Sequence, residues 1–233
     1  MRWVAQDDWW TLKGWPGVVA RVTTRAHGIP AGAATASALR HVVEQGGGSP
    51  RAVIGLEQVH GGAVAVVTEA ADRVLAGYDG AVTDQPSVTL TVRSADCLTI
   101  LAYDPVRRAV GVAHAGWRGV KAAIPSRLVA TLQQAFQSRP GDLQVAIGPA
   151  IGRCCYEVGP EFEPWFPGHV VRQAGGYRLN LAAAATAQLA GAGVPTPHIV
   201  PAPCCTACTP ALCHSYRRDG ASAGRLVAWL AIR

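Results

Sequence analysis

Short apolar runs, separated by Gly, Pro and Asp, recur along most of the chain. They are rich in β-branched residues and either alternate with a period of two or are almost continuously apolar, which predicts β-strands. These runs cover residues 18–22, 52–56, 63–67, 88–92, 98–102, 109–113, 143–147 and 226–232. Because most of them lie only a few residues apart, we expect antiparallel pairing through hairpins to be common.

Two segments have the pattern of helices instead. Residues 181–189 are rich in alanine and are followed by Gly191 and Gly193, which predicts a helix that stops there. A weaker helix, interrupted by two prolines, is predicted for residues 159–166. The other clear helix covers residues 121–136, where an apolar residue recurs every four positions: Ile124, Leu128, Leu132 and Phe136.

Many strands with a few flanking helices predict an α+β fold, a layered sandwich of mixed and largely antiparallel sheets. A chain of 233 residues is long enough for one sizeable core, and no break in composition marks a boundary. The glycine-rich residues 46–50 are the best candidate for a linker, but the segment before them is too short to bury a core. We therefore expect residues 1–233 to form a single catalytic domain.

Composition narrows the class of partner and the cellular compartment. The net charge is +6, but the basic residues are spread out, which favours a small anionic substrate over nucleic acid. No apolar stretch approaches the roughly 20 residues that span a bilayer, and the N-terminus lacks a signal peptide, so we expect no membrane association and a cytoplasmic location. Seven cysteines, an odd number, indicate reduced thiols in that compartment.

Three predicted strands are followed by side chains with metal-binding chemistry. His60 follows residues 52–56, Cys97 follows residues 88–92, and His114 lies in the small-residue segment after residues 109–113. The ends of neighbouring strands converge in a sheet, and a His/Cys set suits zinc or copper. The spacings of 37 and 17 residues are unlike those of a zinc finger. The residues alone thus leave two possibilities open, a metal site and packed imidazoles beside an inert thiol.

Two arginines are candidates for binding an anion, because the N–H donors of a guanidinium group match the arrangement of the oxygens of phosphate. They are Arg118, next to the tryptophan of the small-residue segment, and Arg25, which follows the first predicted strand. A structural salt bridge is the alternative role for Arg118. Arg217 and Arg218 fit better as residues that tie a loop internally.

Short motifs in a fixed order then point to a family. They are Gln58-Val59-His60, Ala95-Asp96-Cys97, His114-Ala115-Gly116-Trp117-Arg118-Gly119, residues 147–151 with 156–159, and residues 215–220 with Gly224-Arg225. Through them the chain resembles the laccase-domain family, also called multicopper polyphenol oxidoreductase. Its members are described as zinc-binding purine nucleoside phosphorylases with adenosine deaminase and methylthioadenosine phosphorylase activity. The resemblance implies that His60, Cys97 and His114 hold the metal.

The resemblance leads to a first hypothesis, a zinc enzyme that acts on a purine nucleoside and phosphate. Zinc lowers the pKa of bound water toward about 7, which supplies a nucleophile for deamination. Asp96 is the candidate for protonating the leaving base, and Cys97 and His114 complete the catalytic set. Gln58 joins Arg25 and Arg118 as a substrate-binding candidate.

Three other functions compete with this one. In the first, Cys97 is a nucleophile with His114 as its base, in an amidase acting on a peptidoglycan precursor as some relatives do. In the second, the chain is a binding module without activity, which the intact motifs disfavour. In the third, copper occupies the site and oxidises polyphenols. A full multicopper oxidase needs about ten histidines and this chain has seven, so only loose copper binding fits.

The cysteines near the C-terminus could form a second metal site or remain as thiols. A structural zinc site is possible in principle because the ligand types are suitable. No second half stands at finger-like spacing, so we expect ordinary reduced thiols. The residues concerned are Cys204, Cys205, Cys208, Cys213 and His214.

Overall fold

The computed structural model describes residues 1–173 and 175–233. The strands are β1 (Arg2–Gln6), β2 (Trp9–Lys13), β3 (Val18–Thr23), β4 (Ala52–Leu56), β5 (Val64–Val66), β6 (Arg73–Leu75), β7 (Gly80–Thr83), β8 (Val88–Ser94), β9 (Leu98–Asp104), β10 (Ala109–Ala115), β11 (Gln144–Ile147), β12 (Glu157–Val158), β13 (Val170–Gln173), β14 (Gly176–Leu179), β15 (Ile199–Val200) and β16 (Leu226–Ile232). The α-helices are α1 (Ala36–Gln45), α2 (Trp117–Lys121), α3 (Ile124–Phe136), α4 (Leu181–Gly191) and α5 (Tyr216–Asp219). Short 3₁₀ turns occur at Arg25–His27, Pro140–Asp142, Pro160–Phe162, Thr196–His198 and Gly220–Ser222.

Two large mixed sheets form the body of the protein. The seven-stranded sheet has the order β1-β2-β3-β16-β8-β4-β6, and the six-stranded sheet has the order β15-β11-β9-β10-β7-β5. A small third sheet has the order β12-β14-β13. Most pairs are antiparallel, whereas β4 runs parallel to both β6 and β8, β5 to β7, and β11 to β15.

The alternation of side chains along the strands divides the core into layers. Along β16, every second side chain faces the core between the two large sheets, as Leu226 and Leu230 do, whereas Val227 and Trp229 face α1. In β9, Leu101 faces the other large sheet and the neighbouring isoleucine packs toward α3 and α4. The result is a layered sandwich in the order α1, seven-stranded sheet, six-stranded sheet, and α3 with α4. This arrangement confirms the predicted α+β class.

All eight predicted strands are present, most of them within a residue or two of the expected bounds. The helix predicted for residues 121–136 begins later, at Ile124, because Ala123 adopts a left-handed conformation with φ +61° and separates α2 from α3. Its apolar face is confirmed: Leu128 and Leu132 are fully buried. The helix predicted for residues 181–189 is α4, whose first turn is capped by the Asn180 side chain.

The helix predicted for residues 159–166 is wrong. Only a 3₁₀ turn forms at Pro160–Phe162, since Pro164 lacks the backbone N–H that would continue a helix. The structure also contains α1, which the sequence patterns did not predict, and the N-terminal hairpin of β1 and β2. In the part of the chain that the structure covers, no helix has both the length and the apolarity to cross a membrane.

Candidate metal centre and cavity

The candidate site lies where the two large sheets meet at one end of the sandwich. β8 belongs to the seven-stranded sheet and β9 to the six-stranded sheet, so the short turn between them crosses from one sheet to the other. Cys97 lies in that turn, preceded by Asp96 in a left-handed conformation with φ +91°. The turn therefore places the Cys97 thiol between the sheets rather than on an outer face.

The two histidines approach the thiol from different sheets. His60 follows β4 of the seven-stranded sheet and has φ +61°, which turns the loop back toward Cys97. His114 lies within β10, opposite Thr99 of β9, and is only 3% exposed. Its neighbours Ala113 and Ala115 pack toward the helices, so the alternation of the strand directs the imidazole to the opposite side.

The structure brings the three predicted ligands together. The candidate ligand atoms of His60, Cys97 and His114 all lie within 4.8 Å of one another. The two imidazole rings meet edge to face, with centroids 4.7 Å apart and planes at 84°. Two imidazoles and a thiolate are a zinc-binding set that leaves a fourth position for a reactant, so these residues fit a divalent metal ion.

Gly116 lies against this cluster and leaves room for it. A Cβ atom at Gly116 would lie 2.8 Å from Cys97 Sγ, closer than a side chain can pack, and 3.2 Å from His60 Cδ2, a tight contact. The backbone of Gly116 is extended, so its need for glycine comes from this close approach and not from its conformation. The close approach of the candidate ligands therefore explains why position 116 is a glycine.

Asp79, directly before β7, holds the ring of His114 and the backbone of the His60 loop. One carboxyl oxygen, Oδ1, accepts hydrogen bonds from Nδ1 of His114 and from the backbone N–H of His60, both at 2.9 Å. The other, Oδ2, accepts from the Gly61 N–H at 2.7 Å. Because Nδ1 of His114 donates to the carboxylate, Nε2 is the nitrogen that can bind a metal once it gives up its proton.

The charges in this cluster support one another. Burial opposes ionisation of Asp79, but hydrogen bonds from His114, Gly61 and His60 hold its pKa below the ordinary value. Burial also opposes ionisation of Cys97, yet the two histidines lower the pKa of its thiol to about 6. The pKa of His114 is raised to about 9 because Asp79 and Cys97 outweigh its burial.

A cavity of about 590 Å³ opens over the three candidate ligands. This volume lies within the range of sites that enclose small molecules. Four arginines line it, together with only two acidic residues, Glu57 and Asp96. The arginines are Arg93, Arg118, Arg217 and Arg225. The cavity therefore suits a small anionic or phosphate-containing ligand.

Among the predicted substrate-binding residues, Arg118 lies in the cavity wall and Arg25 does not. The guanidinium of Arg118 stacks on the Trp117 ring at 4.4 Å and makes no hydrogen bond to any residue in the described ranges. Its donors are therefore available to a ligand, and the alternative salt bridge is absent there. Arg25 instead pairs with Asp219 at 3.6 Å and is not among the cavity-lining residues that the structure describes.

Gln58 and Asp96 both line the cavity, but their polar groups are engaged by the protein. The Gln58 amide pairs with Arg93, accepting from its backbone N–H at 2.9 Å and donating to its carbonyl at 2.7 Å. Asp96 Oδ1 accepts from the Thr206 hydroxyl at 2.5 Å and Oδ2 from the Arg217 N–H at 2.6 Å. Gln58 thus positions Arg93, and Asp96 joins two loops beside Cys97.

Sequence reasoning missed Asp79 and two of the cavity arginines, Arg93 and Arg225. Asp79 stands before a short strand that the patterns did not predict, so nothing marked it as the partner of His114. Arg93 continues the polar phase of β8 after Thr89 and Thr91, so the pattern did not distinguish it from an ordinary polar position. Arg217 was expected to tie a loop; it donates to the Glu157 carbonyl at 2.9 Å and also lines the cavity.

A family model described as multi-copper polyphenol oxidoreductase laccase matches residues 30–233. The chain belongs to this family. This confirms the resemblance drawn from the motifs. A member from Geobacillus stearothermophilus, named purine nucleoside phosphorylase YlmD, is 39% identical over 199 residues, 76% of this chain and 71% of that protein. Another, from an unknown prokaryotic organism and named adenosine deaminase RL5, is 35% identical over 72% of this chain and 70% of its own length.

Solved structures of family members have the same architecture. The crystal structure of YlmD from Geobacillus stearothermophilus matches with a TM-score of 0.89 and 30% identity, covering 99% of this chain and 98% of that one. The crystal structure of the Bacillus licheniformis hypothetical protein YfiH also gives a TM-score of 0.89, with 27% identity and 99% coverage of both chains. The layered fold is therefore shared along almost the whole chain.

Proposed function

We propose that this chain is a zinc-dependent enzyme of purine nucleosides. It cleaves them with phosphate, methylthioadenosine included, and deaminates adenosine. The observation that carries the proposal is the meeting of His60, Cys97 and His114 at the floor of an arginine-lined cavity. The names of the relatives, which include a purine nucleoside phosphorylase and an adenosine deaminase, support the same reactions.

The three ligands are suited to hold zinc with one position open to the cavity. A zinc ion there supplies Lewis-acid activation of a nucleophile at neutral pH. Asp79 keeps Nε2 of His114 free to bind and keeps the His60 loop in place through its backbone N–H groups. This part of the site needs no movement of the strands, since both sheets already present their ligands.

The cavity wall binds and orients the substrate. We assign phosphate to the free guanidinium of Arg118, with Arg93 and Arg225 adding positive charge to the cavity lining. We propose for Arg25 only a more distant contribution to substrate binding, because its guanidinium already pairs with Asp219. Gln58 acts on the substrate through Arg93, whose position it fixes.

Asp96 is the carboxyl group we assign to proton exchange with the purine base. It lines the cavity in the turn that carries Cys97, and each of its oxygens keeps a lone pair beyond the hydrogen bond it accepts. Its contacts to Thr206 and Arg217 hold it in one orientation toward the cavity. An Asp96→Asn variant should keep its zinc and lose most of its kcat.

One observation favours a second candidate, an amidase with Cys97 as nucleophile. In the absence of metal the low pKa of the Cys97 thiol and the high pKa of His114 give a thiolate beside an imidazolium, as in cysteine hydrolases. That mechanism leaves His60, a second imidazole against the same sulfur, without a role. The zinc enzyme uses all three groups and is the function we favour.

The test compares wild type with Cys97→Ala after metal removal and reloading with zinc. Inosine, adenosine and 5′-methylthioadenosine are each incubated with and without phosphate, and products and bound zinc are measured. We expect phosphate-dependent base release and adenosine deamination in wild type, and loss of both in the variant together with its zinc at this site. Cys204→Ala, a half-buried cysteine outside the cavity, is the matched control. Loaded wild type without either activity contradicts the proposal. Activity lost with the zinc retained at this site contradicts the role of Cys97 as a zinc ligand.

A further inference from the structure

A second group of sulfur atoms lies on the surface away from the three candidate ligands. Their Sγ atoms all lie within 4.8 Å of one another, and they form what we call the four-cysteine cluster: Cys154, Cys155, Cys205 and Cys208. Two members come from the segment between β11 and β12, and two from the segment between β15 and α5. None of the seven cysteines forms a disulfide among the residues that the structure covers.

The grouping differs from the one that sequence spacing suggested. Cys204 points away from the cluster, and its sulfur lies 3.8 Å from that of Cys213. His214 packs tightly against Gly28 and Gly224, whose Cβ atoms would come within 2.7 Å of its ring. The missing half of the site comes from residues some 50 positions earlier, which a local Cys-x-x-Cys pattern does not reveal.

The sulfur atoms lie close enough together to surround one tetrahedral metal ion. Cys208 Sγ lies 3.3 Å from Cys155 Sγ and 3.6 Å from Cys154 Sγ. Zinc–sulfur bonds of about 2.3 Å in a tetrahedron put neighbouring sulfur atoms about 3.8 Å apart. A disulfide requires about 2.05 Å, far less than these distances. Four thiolates in this arrangement are the ligands of a closed structural zinc site.

The backbone around the cluster is also shaped for it. The Gly152 N–H donates to Cys205 Sγ at 3.2 Å, a contact that stabilises a thiolate. A Cβ at Gly152 would lie 3.2 Å from Cys154 Sγ and 3.2 Å from Cys205 Cβ, so a side chain there would crowd these two ligands. This is an independent sign that the segment is built around the sulfur atoms.

Of the two segments that the cluster joins, the one with Cys154 and Cys155 lines the cavity through Ile151 and Tyr156, and the other packs against it. Ala150 and Cys205 pair in a short parallel bridge, and Thr206 N–H donates to the Ala150 carbonyl at 3.0 Å. Next to the bridge, the Ile151 N–H donates to the Asp96 carbonyl at 2.9 Å, and the Thr206 hydroxyl holds the Asp96 carboxylate. Thr206 directly follows Cys205, and Ile151 lies three residues before Cys154, so both contacts that fix Asp96 are close to the cluster in the sequence.

We propose that the four-cysteine cluster binds a structural zinc ion that holds these two segments together and so fixes Asp96 beside Cys97. Both segments lack long secondary structure, and a metal bridge between chain segments far apart in sequence restricts the unfolded chain strongly. The ion has four protein ligands and no open position, so its role is to support the cavity wall and not to react.

The test counts zinc in purified protein and three variants. Wild type should hold zinc at both places, Cys208→Ser should lose one equivalent, and Cys97→Ala should keep the cluster's equivalent. Cys204→Ser, next to Cys205 but outside the cluster, should hold as much zinc as wild type. The same counts distinguish failure of this proposal from failure of the proposed function. If His60, Cys97 and His114 bind no zinc, wild type carries one equivalent, which Cys208→Ser loses and Cys97→Ala keeps.

A second measurement separates binding from misfolding. A chelator should lower the Tm of wild type by about 5 °C or more, and should have a much smaller effect on Cys208→Ser, which already lacks the cluster's ion. Cobalt loaded in place of zinc should give thiolate-to-metal absorption in Cys97→Ala and not in a Cys97→Ala/Cys208→Ser double variant. A Cys208→Ser protein with the full zinc content of wild type, or iron or a disulfide at the cluster, overturns the proposal.

Discussion

Asp79 is joined to His114 by a hydrogen bond of 2.9 Å from Nδ1 to Oδ1, and both side chains are almost completely buried. The same carboxylate binds the backbone of the His60 loop. One residue that is not itself a candidate ligand thus sets the tautomer of one imidazole and the position of the other.

Replacing Asp79 with asparagine should weaken zinc binding at the three ligands by about 10- to 100-fold. The amide keeps the shape but removes the negative charge that holds His114 in its binding orientation. Titration with a chelating indicator measures the affinity. Asp84→Asn, an exposed aspartate a few residues later, is the control and should leave it unchanged. Equal zinc affinities in the two variants contradict this role.

The Cys97 thiol of the metal-free protein should react with iodoacetamide faster than an ordinary cysteine at pH 7. Its pKa of about 6 lies below the usual value of about 8.5, so the reactive thiolate is populated above pH 6 and is lost as the pH falls through that value. The rate is read from the mass of the Cys97 peptide between about pH 5 and 9. Zinc should protect the thiol, and Asp79→Asn should move the midpoint upward. A midpoint near the usual value in the wild type rules out the assigned charge state.

Adding a methyl group at Gly116 should disrupt the metal centre. The Cβ would stand 2.8 Å from Cys97 Sγ, so the thiol or the α2 segment must move, and we expect Gly116→Ala to lose zinc at this site and at least about 10-fold in activity. Gly141→Ala, where no atom lies within 4 Å of the new Cβ, is the matched control. Zinc content and activity are measured on both. A fully active Gly116→Ala protein shows that the cluster is looser than described.

Arg118→Gln should raise the KM for phosphate by at least about 10-fold while the zinc content stays at the wild-type level. The guanidinium lines the cavity without a hydrogen-bond partner in the described part of the chain. Its removal therefore eliminates a charge-assisted hydrogen bond to phosphate. Steady-state phosphorolysis at varied phosphate measures the effect, with exposed Arg107→Gln for comparison. Deamination, which needs no phosphate, should change much less. A phosphate KM equal to that of the control removes Arg118 from the proposed site.

The strand pattern and the three ligands were accessible from the sequence because each depends on local signals. The eight apolar runs are core strands, and several have both faces buried, such as β9 and β10, whose seven residues each are all buried. His60, Cys97 and His114 stand at or just beyond the ends of such strands, within motifs whose resemblance to a family fixed their role as candidates.

Other features depend on contacts that no local pattern contains. α1 buries only Leu39, Val42 and Val43 against the outer face of a sheet, and it is stabilised by that packing. β1 at the edge of the seven-stranded sheet and its neighbour β2 lack the β-branched runs that mark the predicted strands. Asp79 and the four-cysteine cluster are defined by partners 35 and about 50 residues away, respectively, which only the folded topology brings together.

The most direct test of the metal centre is a crystal structure of the zinc-loaded protein with anomalous diffraction measured at the zinc edge. We expect a peak about 2.0–2.1 Å from one nitrogen each of His60 and His114 and about 2.3 Å from Cys97 Sγ, with its fourth side open to the arginine-lined cavity. No zinc peak among these three side chains, in crystals whose zinc is bound elsewhere, would contradict the account.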